Sequence, residues 1–567
     1  MSPVPRPSTR ARRAAAIGAT AALATALAMP AQASVVAAPF TTSAADAALA
    51  LTPIGSHDSG VFDESAAEIV VFHAATARLF AVDANAGSVR VLDASDPTAP
   101  TDEGFSLDAR GVTAADGSVI PEGAVANSVA VREDGLVVVA VENDPKTDDG
   151  WLVFFDAAGE GEALGAVRAG ALPDMVTITP DGKRAVAANE GEPNADYSID
   201  PEGSITVVRL PKKVEAPKQQ QVKTATFHAF EDALPDGVRI FAGLAEPVNP
   251  VSEGLEPEYV TVDAASHTAY VTLQENNAVA VVDLPSARVT ALLPLGAKDH
   301  SLSENALDPS DKDGIAIRTA PVMGLYMPDA IASYTADGET YLVTANEGDA
   351  RDDWNEGVDE FEESTRIEDL LEDGLLCDNV IADIADDEDL LRLDVTTASG
   401  FNEAEGCYDQ LYSFGARSFS IWTADGEQVF DSGSDFEDIT ADLVPEYFNM
   451  SNDDHDPDDF DSRSDAKGPE PEAVTIGEID GRTYAFIGLE RIGGIMVYDV
   501  TDPAAAFFVT YVNNRDFTVD ADAPEAGDLG PEGLAFIPAE DSPTGEPLLA
   551  VANEVSGTTT LFAIEVD

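Results

Sequence analysis

One unit recurs along this chain and limits its fold more than any other feature. It opens on proline and an acidic residue, runs through an apolar strand to a turn, returns on a second strand, and closes with a third. Residues 173–210, "PDMVTITPDGKRAVAANEGEPNADYSIDPEGSITVVRL", show the unit whole, and 257–284, "PEYVTVDAASHTAYVTLQENNAVAVVDL", repeat it compactly. Further copies open at Pro121, Pro328, Pro471 and Pro531, and a seventh, at 68–93, lacks the proline. The turns "REDG", "TPDG", "TADG" and "EIDG" are hairpin chemistry, with glycine free to take positive φ. Alternating Val, Ile, Tyr and Thr on both sides of those turns select strands over helices. Short three- or four-stranded units repeated along one chain bury their faces by stacking on each other. The fold class read from this is all-β, a seven-bladed β-propeller, although divergent units leave six or eight blades open.

The units are spaced irregularly, which places insertions near 209–227, 296–327 and 350–420 in one propeller domain spanning 51–567. The 209–227 stretch, rich in Lys, Pro and Gln, reads as an exposed loop. In the last insertion, "STRIEDLLEDG" reads as a short helix capped by Ser364 or Thr365 and stopped by Gly374. Cys377 and Cys407 lie in that same acidic segment, so a local disulfide is expected rather than a metal pair or a nucleophile. One blade thus carries a small helical, disulfide-bearing insertion.

Upstream, Arg6, Arg10, Arg12 and Arg13 precede the apolar stretch "AAAIGATAALATALAMP" and the small residues Ala31 and Ala33. This is the pattern of a signal peptide, 1–33, cut near Ala33/Ser34 and followed by a flexible mature N-terminus over 34–50. No other window has the length and apolarity of a membrane span, and with the closing strand "TTTLFAIEVD" read as the end of the fold, a released protein without an anchor or sorting signal is the expectation. A secreted extracellular protein, monomeric, is expected.

Net charge narrows the partners. With 105 acidic residues against 31 basic ones, the formal charge is −74. Such a field repels nucleic acid and anionic membrane surfaces, attracts cations, and keeps a secreted protein soluble.

Hairpin geometry then places the acids. A first strand crosses the disc and the second returns, so the Pro-acid start and the Asn-Glu return share one rim. The starts carry Glu122, Asp174, Glu258, Asp329, Glu472 and Glu532, and the returns carry Glu190, Glu275, Glu347, Glu490 and Glu554. These residues either satisfy backbone amides between blades or build a cation site at the channel mouth, with Glu190, Glu347, Glu472 and Glu554 as metal candidates. Asn305, Asp308, Asp311 and Asp313, with Gly314 for a sharp turn, are a second oxygen-rich candidate for Ca²⁺. Asp454, Asp456 and Asp458 alternate like a Ca²⁺ loop but lack its glycine and closing glutamate, and read as a solvated acidic loop. The scarce cations Arg351, Arg463, Lys467 and Arg491 fall on the same rim, with Arg515 just before the last blade. They form either a salt-bridge network or a pocket for an anion. No G-x-S-x-G, H-E-x-x-H, G-x-x-x-x-G-K or paired C-x-x-C occurs, and no organic cofactor is expected.

The stretches "AANEGEP", "LEPEYVTV", "KDHSLSENALDPSDKDG", "TANEGDARD", "DSRSDAKGPEPEAV", "GLERIGGIMVYDV" and "GPEGLAF" resemble the choice-of-anchor I family and the related animal mesenchyme-specific cell-surface glycoproteins. The resemblance covers nearly the whole mature chain and implies a propeller of the YVTN or WD40-like kind. It supplies no catalytic residues. Two functions follow as expectations. The first is a secreted recognition module with an acidic, Ca²⁺-binding rim, its extracellular ligand unknown. The alternative is a calcium-dependent phosphoesterase of phosphatase or phytase type, the rim acids holding metal and the rim cations holding phosphate.

Overall fold

Each of the seven repeats falls on one antiparallel sheet of at least four strands in the computed structural model, which describes residues 35–195, 197–240, 248–351, 362–385, 387–452 and 459–566. The expected signal peptide and the run 454–458 lie outside those residues. The first strands of the sheets are Val70–His73, Ala126–Val131, Pro173–Ile178, Val260–Val262, Ile331–Ala336, Pro471–Ile479 and Pro531–Ile537. Each packs against the first strand of the next sheet, and the seventh packs against the first. The sheets are therefore the blades of a closed propeller, with their first strands around the axis.

Strand alternation explains the stacking. In the third strand of the second sheet, Val153 and Phe155 pack toward the first sheet, while Leu152 and Phe154 pack toward the third. Both faces are apolar because both are covered, so the second strand, Leu136–Val141, is buried at every position. Two hairpins turn on Asp337-Gly338 and Asp480-Gly481, with positive φ at both residues of each pair. That is the two-residue turn whose twist matches the strands it joins.

The ring is closed by the chain's two ends. Leu49–Asp58 pairs antiparallel with Thr558–Val566 as the outer strand of the seventh sheet. Phe40–Ser43, inside the stretch expected to be flexible, adds a fifth strand to the sixth sheet against 510–513. Part of 209–227 is also strand, since Val222–Thr226 forms the outer edge of the third sheet. Where the seventh sheet meets the first, Gly533 leaves no room for a side chain: a Cβ there would sit 2.2 Å from the Glu68 carbonyl. Gly533→Ala is therefore expected to lower stability by about 1–3 kcal/mol through overpacking. Chemical denaturation checks this, and an unchanged midpoint would mean that the junction gives way freely.

The insertion in the fifth sheet has its own core of Ile367, Leu370, Val380, Ile384, Leu390 and Tyr408. The Cys377–Cys407 disulfide pins it, with Cα atoms 5.2 Å apart. Gly374 ends the first helix at φ +69. The expected cap does not form: Ser364–Arg366 is a strand, and the helix begins at Ile367 with no side-chain cap. Pairing with Asp394–Thr396 holds Ser364 and Thr365 extended.

Candidate functional site: a carboxylate-lined channel

The hairpins bring outgoing and returning acids together as the repeat requires. Pro173 pairs with Asn189 and Pro531 with Asn553. The N–H groups of Glu190, Glu490 and Glu554 donate to the carbonyls of Leu172, Glu470 and Gly530, at 2.8, 2.8 and 2.7 Å. Each of these three returns thus lies beside its own start, on the axis side of the blade.

Register assigns the outgoing layer to Glu68, Asn127, Asp174, Glu258, Asp329, Glu472 and Glu532, one from each sheet. This corrects one sequence expectation. Glu122 is exposed and precedes its strand, whereas the residue in register in the second sheet is Asn127, because Glu142 N–H donates to Val125 O. Glu68 joins the layer without any proline before it. The returning layer contains Glu142, Glu190, Glu347, Glu490 and Glu554. In the fourth sheet Gln274 holds that register and Glu275 follows it.

On the axis these residues enclose a cavity of about 100 Å³ lined by Ile69, Asn127, Ser128, Asp174, Met175, Tyr259, Asp329, Glu472 and Glu532. All seven sheets contribute, four of the lining residues are carboxylic acids, and none is basic. Burial pushes Asp174 up to about 7, with the charge of Glu142 adding to it. Burial first, and neighbouring carboxylates second, push Glu68, Glu258, Asp329, Glu472 and Glu532 well above the usual range. One oxygen each of Glu258, Glu275, Glu472 and Glu532 is buried with no hydrogen-bond partner. Bare buried carboxylate oxygens are costly unless protonated or matched by a cation.

The rim cations resolve differently. Arg463, Lys467 and Arg491 converge on Glu470, whose side chain is 0% exposed, at 2.7, 3.2 and 3.1 Å. Burial opposes its ionisation, but the Lys467, Arg463 and Arg491 charges outweigh that and hold Glu470 below its ordinary value. Lys467 also reaches Glu347 at 2.9 Å and Asp349 at 3.6 Å. Arg351 is buried against Glu256. Arg515 lies over the Phe517 ring, 4.6 Å from its centroid. The anion that three of the five cations grip is thus the protein's own glutamate.

The metal candidates divide in the same way. Among the described residues, two groups of three His, Cys, Asp or Glu offer ligand atoms within 4.8 Å of one another. One is Glu347, Glu470 and Glu490, where the Lys467 ammonium already sits among the carboxylates. The other is Cys377, Glu405 and Cys407, whose sulfurs form the disulfide. Glu190, Glu472 and Glu554 stand in the two layers, and among the described residues they form no such group with one another. Asn305, Asp308, Asp311 and Asp313 do not converge. Asn305 donates to Asp299 O at 3.0 Å, and Asp308 accepts the Ala316 and Ser310 N–H groups. Asp311 pairs with Arg392 at 2.9 Å and Asp313 with Arg318 at 3.3 Å. Arg392, from the disulfide-bearing insertion, claims Asp311 for that interface.

Sequence reasoning passed over Glu256 and Glu470, although a signal was present. "EPE" occurs at 256–258 and again at 470–472. In both copies the second glutamate enters the channel layer and the first pairs with arginine.

The model of the choice-of-anchor I domain matches residues 68–503, more than half of the chain. Gigasin-3a of Magallana gigas is 34% identical over 193 residues, covering 32% of this chain and 68% of that protein. The mesenchyme-specific cell surface glycoprotein of Strongylocentrotus purpuratus is 33% identical over 276 residues, 44% of this chain, and the match covers only 35% of that longer protein. Among solved structures, Kuenenia stuttgartiensis hydrazine synthase aligns over 89% of this chain and 97% of its own, at 14% identity and a TM-score of 0.44. A streptogramin B lyase aligns over 92% and 98%, at 9% identity and a TM-score of 0.41. Among the described residues no helix is long and apolar enough to cross a membrane.

Proposed function

The chain belongs to the choice-of-anchor I family, and from that premise we propose that it is an extracellular binding module that takes up a calcium ion in the cavity on the propeller axis. The observation that carries this reading is the cavity itself: Asp174, Asp329, Glu472 and Glu532 face it, and no basic residue lines it. A volume of about 100 Å³ accommodates an ion with two or three waters at roughly 30 Å³ each. Calcium takes carboxylate and water oxygens in flexible geometry, which suits carboxylates that stand too far apart for a dry cage. The disulfide fits an oxidising compartment, and the sea-urchin relative is by its name a cell-surface glycoprotein. A phosphoesterase reading draws no support from the rim cations, since Arg351, Arg463, Lys467 and Arg491 are engaged by Glu256 and Glu470.

Calorimetric titration with Ca²⁺ near neutral pH tests this. Saturable uptake is expected, with proton release because the receiving carboxyls hold protons beforehand. Asp329→Asn/Glu472→Gln/Glu532→Gln is expected to abolish that event. No saturable Ca²⁺ uptake by the wild-type protein would end the reading.

A further inference from the structure

We propose that the three outer strands of the third sheet, at the end away from the Asn-Glu returns, bind an acidic polysaccharide through Arg184, Arg209, Lys212 and Lys223. Neither the axial cavity nor its ion takes part, and the extracellular setting of the binding module is the one premise shared with them.

Internal repetition singles out the place. In the first, second, fourth and sixth sheets an aspartate closes the third strand, in register with a residue near the start of the second. The pairs are Asp93 with Arg78, Asp156 with Leu136, Asp283 with Thr268 and Asp499 with Tyr484. Asp93, Asp156 and Asp499 each accept the backbone N–H two residues on. In the third sheet that position is Arg209, and the residue two on is Pro211, which has no N–H to offer. The turn thus dispenses with the aspartate, but it does not call for an arginine. Arg209 stands in register with Arg184, one arginine opposite another. Like charges facing across strands cost stability, yet in a chain with 105 acidic residues neither arginine has a carboxylate partner among the described residues.

Strand alternation turns both side chains toward the fourth sheet, the face on which Val186, Ile205 and Val207 pack. Lys223, in register with Val207, shares that face. Arg184 comes within 3.5 Å of Ser266 O, and Lys223 Nζ donates to Pro285 O at 3.2 Å. A row of cations therefore crosses three adjacent strands, roughly 4.8 Å apart. Arg209 also borders a cavity of about 670 Å³, together with Arg132, Lys183 and Lys212. Asp134 answers Arg132 at 2.6 Å and Asp181 answers Lys183 at 2.7 Å, with Glu133 as the third acid of the lining. Arg209 and Lys212 are exposed and enter no ion pair among the described residues, and the same holds for Lys223. The rim cations, by contrast, end on Glu256 and Glu470.

Such a row matches anionic groups repeated along a single strand, and arginine forks take sulfate or carboxylate oxygens in pairs. The charge of −74 repels a wide anionic surface such as a bilayer or a nucleic-acid duplex, whereas one polysaccharide chain meets only the row.

Calorimetry on the full chain tests this with dextran sulfate, polygalacturonate and neutral dextran as probes, a chelator being present so that the axial ion plays no part. Saturable, salt-sensitive uptake of at least one acidic polymer is expected, and the stronger of the two identifies the anion as sulfate or carboxylate. Arg209→Glu/Lys212→Glu should weaken uptake about tenfold or more, the loss of charge-assisted contacts. Its melting temperature should hold or rise, because a glutamate opposite Arg184 relieves the arginine pair. Arg209→Lys should retain uptake. Arg110→Glu/Lys312→Glu, the same change of charge outside the row, should bind as wild type does. Acidic polymers bound no better than dextran by wild type, or equally well by the two double variants, would overturn the inference. A salt-sensitive dimer that Arg209→Glu/Lys212→Glu abolishes, without uptake of either polymer, would also overturn it and give the row to a second copy of the chain.

Discussion

Glu470→Gln is expected to destabilise the protein by about 3–5 kcal/mol, the cost of removing one partner from a buried ion cluster. The Glu470 carboxylate is fully buried and is shared by Arg463, Lys467 and Arg491. A neutral amide leaves those charges desolvated around a group that cannot balance them. Glu472→Gln, two residues along the same "EPE", should act with the opposite sign. Glu472 faces other carboxylates, with Glu490, Glu347 and Glu532 raising its pKa after burial, so neutralising it relieves repulsion. Urea denaturation of both variants at pH 7 without divalent ions reads the contrast. Equal destabilisation of the two would mean that the motif's two glutamates are not divided as described. The pH dependence of Glu470 follows from its depressed pKa: its stabilisation is present above the ordinary carboxylate range and lost as pH falls through the folded value.

The second large effect has the reverse pH dependence. Carboxyls raised in the folded state bind more protons there than in the unfolded chain, so stability falls as pH rises between the two values. For the channel that window runs from the ordinary carboxylate range, near 4.5, to about 7 for Asp174 and about 8 for Glu490. Moving one carboxyl from 3.8 to about 7 corresponds to roughly 4 kcal/mol. The groups titrate together beside a solvent-sized cavity, so the whole layer is expected to contribute about 2–4 kcal/mol rather than a multiple of that. Without divalent ions the protein should therefore melt higher at pH 5 than at pH 8. Asp329→Asn/Glu472→Gln/Glu532→Gln should flatten that slope and be the more stable form at pH 8. Calcium added to wild type should raise its melting temperature chiefly at pH 8. A wild-type slope of opposite sign, or one the triple variant keeps, would show that the channel acids are not ionised against a cost.

The propeller could be read from the chain because its information is local: hairpin turns, alternating strands and a repeated Pro-acid start. The shared rim of Asp174 with Glu190, or Glu532 with Glu554, follows from a single hairpin and was legible for the same reason. Glu122 misled because the second unit carries its Pro-acid pair upstream of the strand, and Asn127 takes the channel position. Glu68 was hidden by the missing proline. What no local pattern contains is who neutralises whom. Arg351 leaves the fifth sheet to meet Glu256 beside the fourth, and Arg392 crosses 81 residues to claim Asp311. Rim cations that read as either a salt-bridge network or an anion pocket resolve into an internal network once Glu470 is placed at their centre. Its buried position depends on the packing of two blades.

The blade starts deliver their carboxylates to one axial cavity, and the proposed cation there is open to direct observation. A crystal of the protein soaked in a calcium surrogate with strong anomalous scattering, such as a lanthanide ion, locates bound ions directly. The expected result is a peak on the propeller axis among Asp174, Asp329, Glu472 and Glu532. Peaks confined to the outer acidic surface, with only water on the axis, would contradict it.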